Sequence, residues 1–149
     1  MKLEEEIKQS KFESEQQKAV LNVMVTSNWI TSSQTKLLKK FDLSPPQYNV
    51  LRILRGAKDK PIMLADISSR MLDKMSNATR LVEKLKQKGL VDRVQCEFNR
   101  RQVDISITNE GLRLLENIEL PLKEMSKIYS NITNEEAALI NTILDKWRE

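Results

Sequence analysis

Apolar positions along the 149 residues recur mostly at helical spacing, and one short stretch alternates instead. From Ala19 onward, Val20, Val23, Met24, Trp29 and Ile30, then Leu37, Leu38 and Phe41, predict one long helix ending near Lys40. The first 18 residues are rich in Glu, Lys and Gln and predict a frayed or partner-supported helix. Ser44-Pro45-Pro46-Gln47 carries agreeing helix-start signals: a capping hydroxyl, proline in the first turn and Gln three after the cap. That helix buries Tyr48, Leu51 and Leu54 and stops near Gly56. Pro61 to Leu64 reads as a short extended piece, and Ala65 to Met71 as a brief helix. Asp73 is then a candidate cap for a helix from about Ser76 to Lys88, ended by Gly89. On that helix Ala78, Leu81, Val82 and Leu85 share one face, and Ser76, Arg80, Glu83, Lys84 and Gln87 the other. Leu90 to Val94 and Val103 to Ile107 have strand character, with Val103, Ile105 and Ile107 on a buried face. The polar residues Gln95 to Gln102 make the hairpin tip. Thr108 or Asn109 caps a further helix that runs past Pro121, where a kink is expected, to Tyr129. Thr133-Asn134-Glu135-Glu136 opens the last helix, with Leu139, Ile140, Ile143, Leu144 and Trp147 on its apolar stripe.

A first helix this long cannot bury its whole length in a small domain, so part of it must face another domain or another copy. Charge sharpens the picture. Between Met71 and Arg101 stand eight basic residues against four acidic ones, a surplus of four that equals the net charge of the whole chain. A local basic stretch in an otherwise balanced chain suits a polyanion, or is simply a solvated face. With 5% aromatics, a base-stacking platform for single strands is disfavoured. The chain has no histidine, which removes the commonest general base and zinc ligand, and it shows no phosphate-binding glycine loop. The expectation is therefore no enzyme, no metal and no cofactor. One cysteine, no long apolar run and a charged N-terminus favour a soluble, cytoplasmic protein away from the membrane.

In order and spacing, several short motifs resemble the MarR family of bacterial winged helix-turn-helix transcription regulators. They are Leu43-Ser44-Pro45-Pro46-Gln47-Tyr48, Ala65-Asp66-Ile67, Thr79 to Leu85, Lys88-Gly89-Leu90-Val91-Asp92-Arg93, Arg100-Arg101 and Ile107-Thr108-Asn109-Glu110-Gly111. The resemblance implies a mainly α (α+β) fold: a winged helix-turn-helix lobe over residues 43–108, with residues 1–42 and 109–149 forming a helical dimerisation region. It implies a homodimer that reads double-stranded DNA at a near-palindromic operator, as a ligand-responsive repressor. Arg80 is the first candidate for base contact, since a guanidinium can engage guanine O6 and N7 together. The alternative is a surface arginine paired with Glu83 or with acids beside the neighbouring lysines. Ser76, Asn77 and Thr79 are candidates for phosphate or base-edge contact, with capping as the alternative for the first two; Lys84 suits phosphate. Arg100 and Arg101 are candidates for the minor groove or its phosphates. Where the family has an aspartate two before the second wing arginine this chain has Asn99, and Met63 stands where a capping hydroxyl is usual. Met24, Trp29 and Tyr48 read either as core or as the lining of a pocket for a small aromatic or phenolic effector. Two other readings stay open: a winged-helix module that binds a protein partner, and a redox sensor using Cys96.

Overall fold

The computed structural model describes residues 1–57, 60–95, 98–99 and 102–149. Its elements run α1 (Leu3–Glu6), α2 (Glu15–Lys39), α3 (Pro45–Gly56), β1 (Ile62–Met63), α4 (Leu64–Arg70), α5 (Ala78–Gln87), β2 (Val91–Gln95), β3 (Val103–Ile107), α6 (Asn109–Ser126) and α7 (Asn134–Trp147), with a 3-10 turn at Lys127–Tyr129. The chain divides into two compact units, Met1–Leu115 and Glu116–Glu149, the boundary falling inside α6. No helix among the described residues is long and apolar enough to cross a membrane.

Local chemistry explains most element ends. The Ser44 hydroxyl accepts from the Gln47 amide at 3.3 Å and the Gln47 side chain accepts from the Ser44 amide at 3.0 Å, a reciprocal cap that also buries Gln47. Thr133 and Glu136 repeat the arrangement at the start of α7. Gly89 stands at φ +72°, the left-handed conformation that ends α5 at low steric cost. α4 starts at Met63 with no side-chain cap, as the missing hydroxyl implied. Two expectations need correction. Asn77, not Asp73, caps α5: its Oδ1 accepts from the Arg80 amide at 3.0 Å, while Asp73 Oδ1 accepts from the Met75 amide and shapes the preceding turn. The sixth helix ends at Ser126 rather than running to Tyr129, the last residues tightening into the 3-10 turn. It stays helical through Pro121. The N-terminal segment holds one short helix, and α2 begins at Glu15, earlier than the apolar pattern does.

In the first unit α3, α4 and α5 pack with a three-stranded antiparallel sheet of order β1-β3-β2. The sheet pairs Ile62 with Ile105 and Arg93 with Ile105, so β3 is central. Val50, Leu51, Ile67, Leu85 and Ile105 are fully buried. Burying side chains of this size stabilises a fold by about 1.5–3 kcal/mol each, which rigidly seats α5 and leaves its polar side outward.

Candidate nucleic-acid interface

Helix α5 is the centre of the candidate site. Ala78, Val82 and Leu85 are buried and Leu81 half-buried, as the 100° periodicity predicts. Thr79, Arg80 and Lys84 are exposed and Ser76 is half-buried. Asn77 is occupied in capping, so of the two candidates it is the one that capping explains. The cap places the Arg80 backbone in the first turn, at the positive end of the helix dipole. Among the described residues no carboxylate pairs with Arg80; the Glu83 carboxylate goes to Arg93 on β2 instead. An exposed guanidinium at a helix N-terminus, with Glu83 engaged elsewhere, is placed to meet an anion.

Polar ties fix α5 at both ends. Before it, the Leu72 amide donates to Asn49 Oδ1 at 2.9 Å, which anchors the turn to α3. After it, the Lys88 ammonium lies 3.2 Å from Asp42 Oδ2 and also donates to the Asp42 carbonyl, at the link between α2 and α3. The Gly89 carbonyl accepts from the Thr108 hydroxyl at 2.7 Å, and the Thr108 amide donates to Leu90 at 3.1 Å. Glu83, Lys88, Asp42 and Asn49 were not legible as ties, since their partners lie 10, 46 and 23 residues away. Arg100, Arg101 and Cys96 lie outside the described residues.

Of the three effector-pocket candidates, Trp29 lines a groove along α2. That groove, of about 340 Å³, is lined by Met1, Leu3, Glu6, Asn22, Val25, Thr26 and Trp29. Met24 and Tyr48 are absent from that lining. Five residues separate Met24 from Trp29, which at 3.6 residues per turn sets them about 140° apart around α2. Tyr48 instead accepts from Arg52 at 2.9 Å, the guanidinium lying 5.8 Å from its ring centroid.

A family model described as "MarR family" matches residues 43–103, the span from α3 to the start of β3. The transcriptional regulator SarZ of Staphylococcus aureus, of the helix-turn-helix type, is 31% identical over 123 residues, covering 80% of this chain and 79% of that protein. The repressor IacR of Pseudomonas putida, of the same type, is 29% identical over 116 residues, covering 77% of this chain and 68% of that protein. Among solved structures, a cysteine-to-serine mutant of MarR from E. coli, complexed with operator DNA, superposes with a TM-score of 0.77 at 20% identity. That match covers 90% or more of both molecules, 92% of this chain and 98% of the other.

Proposed function

The chain belongs to the MarR family of transcriptional regulators, and from that premise we propose that it binds double-stranded DNA sequence-specifically and represses transcription as a homodimer. The observation that carries the reading is the outward face of α5. Arg80, Thr79 and Lys84 stand exposed on a helix whose other face is locked into the core, and no acid among the described residues neutralises Arg80. Such a helix fits the major groove, with Arg80 on a guanine edge and Ser76, Thr79 and Lys84 on phosphates or neighbouring bases. Arg100 and Arg101 serve the minor groove beside it. The similarity to a MarR solved on operator DNA, and to a protein named as a repressor, supports the same assignment.

Homodimerisation is supported by the terminal helices. Val20, Val23, Met24 and Trp29 of α2, and Leu139, Ile140, Ile143 and Trp147 of α7, are all exposed in the single chain. A second copy covering them places two α5 helices about 34 Å apart, the spacing of successive major grooves on one side of a near-palindromic site. A small aromatic or phenolic effector then acts by favouring a spacing that no longer fits.

The test selects duplexes from a random pool with the wild-type protein and measures affinity for the enriched sequence. Arg80→Ala is expected to weaken that binding by about 1–3 kcal/mol, and binding to shuffled DNA by only about twofold, as loss of one cation brings. Affinity should also fall steeply with salt. No enriched sequence, or retained DNA affinity in Arg80→Ala together with loss of a protein partner, overturns the reading in favour of an interaction module.

A further inference from the structure

Glu83 sits where a DNA-reading helix is ill served by a carboxylate. It follows Arg80 by three residues and precedes Lys84 by one, on the polar side of α5. A phosphate rail approaching that side meets the acid as well as the cations, and like charges placed together repel. What occupies the carboxylate is Arg93, on the strand that leads into the hairpin: Glu83 Oε1 pairs with Arg93 Nη1. The two residues belong to separate elements joined by the left-handed turn at Gly89. Arg93 is in turn held in register opposite Ile105, a fully buried residue of the central strand. The pair therefore ties the polar side of α5 to the sheet from which the hairpin projects.

We propose that Glu83 is a positioning residue for DNA recognition, holding α5 and the hairpin at one mutual angle through Arg93. The inference rests on the DNA-binding reading above. It assigns Glu83 a favourable role at a surface where its charge alone is unfavourable, and that makes the sign of the effect decisive. If Glu83 were only a surface acid near DNA, neutralising it would tighten every complex by removing repulsion. If it positions the two contacting elements, neutralising it loosens the complex with the right sequence, because helix and hairpin no longer reach their grooves together. Binding to a wrong sequence, which is set by net charge, still tightens.

The experiment uses the full-length protein, a duplex enriched by the wild type from a random pool, and a shuffled duplex of the same composition. Glu83→Gln is expected to weaken binding to the enriched duplex by about fivefold, in line with an exposed but geometrically constraining ion pair. On the shuffled duplex it should bind about twofold tighter, so the ratio of the two affinities falls by about tenfold. In a background of Arg93→Ala the same substitution should cost nothing further on the enriched duplex, since the partner is already gone. Arg93→Lys, which keeps a cation but not the fork, should restore part of the loss. An unchanged thermal melt of Glu83→Gln separates positioning from misfolding. Tighter binding of Glu83→Gln to both duplexes, or additive effects of the two substitutions, overturns this inference alone. Failure of the wild type to enrich any sequence overturns the DNA-binding reading with it.

Discussion

In α3, Val50, Leu51 and Leu54 are at most 2% exposed, whereas in α7 Leu139, Ile140, Ile143 and Trp147 are each 44–60% exposed. Both helices are amphipathic and both begin with a reciprocal cap. They differ in what their apolar stripes meet within one chain. The stripe of α3 closes against α4, α5 and β3. The stripe of α7 has no buried residue at all, and in the 25 residues of α2 only Leu38 is buried. A helix of 14 residues is marginal on its own in water, so most of its stability must come from packing. The contrast teaches that the winged lobe completes its core by itself, while the terminal helices carry an unfilled demand for apolar cover. Under the homodimer proposed above, a second copy of the chain is the occupant that meets this demand.

The comparison breaks most readily at α7. Leu139→Asp with Ile143→Asp places two charges one turn apart on its exposed stripe. Each loses about 1.5–3 kcal/mol of apolar burial, about 3–6 kcal/mol together, if a partner covers them. Analytical ultracentrifugation at micromolar concentration should show the mass fall from two chains to one, with a loss of helical circular dichroism. A wild type that sediments as one chain, with an unchanged spectrum in the variant, would show that α7 needs no cover.

The opposite region is tested by Leu51→Ala. Leu51 is fully buried in the first unit. The expected cost is about 2–5 kcal/mol in urea unfolding, depending on how far the site collapses. Because α7 is untouched, the mass in solution should match that of the wild type wherever the protein stays folded. A smaller and more local effect is expected from Gly111→Ala. A Cβ there would lie 2.4 Å from the Leu90 carbonyl oxygen and 2.7 Å from Ile107 Cγ1. A backbone atom cannot swing aside as a side chain can, so α6 must shift from the turn after α5, at about 1–3 kcal/mol. Should the variant melt with the wild type, the close seating of α6 on the β2 side is not needed for stability.

These experiments also mark how far the amino-acid pattern can be followed. The caps at Ser44 and Thr133 and the stop at Gly89 were legible because each depends on neighbours within four residues, and the bounds of β3 because its side chains alternate along the strand itself. The buried face of α5 was legible for the same reason: periodicity alone orients a helix that has one apolar side. Asp73 and Asn77 were not separable in advance, since both are good caps. The choice falls to Asn77 once Asp73 turns back to the Met75 amide and Asn49 anchors Leu72 from another helix. Local spacing offered Glu83 as the alternative partner for Arg80, and the structure does not bear that alternative out. The partner of Glu83, Arg93, comes from a strand, and nothing in i,i+3 or i,i+4 spacing points across that turn. For Met24, Trp29 and Tyr48 residue type alone left core and pocket lining both open, because only the helix angle says which residues share one side of α2.

The smallest effect concerns the part of α2 that the chain does cover. Leu3 is buried, and it shares a groove with Val25 and Trp29. Glu4 pairs with Lys18, whose ammonium also lies 5.5 Å from the centroid of the Phe12 ring. The hydrogen bond from Lys18 holds the Glu4 carboxyl below its ordinary range, and the same bond raises Lys18. The sign follows from each shift. The Glu4 contribution is present above the ordinary glutamate pKa and is lost as pH falls through the depressed value; the Lys18 contribution is lost only as pH rises through the elevated lysine value. Between those limits the pair adds to the hold that buried Leu3 gives the N-terminal segment. Acidification should therefore loosen it, with a change in Trp29 emission readable in a Trp147→Phe background, and Lys18→Gln should abolish that pH step. High salt should weaken the tie as well, because the pair is partly exposed. The mass measured in parallel decides what the segment means for the comparison. If its release leaves the mass unchanged at that of the proposed dimer, segment and partner cover different parts of α2. If release strengthens association, the segment competes with the second copy for the same apolar surface, and the demand left open by the terminal helices is larger than one chain displays.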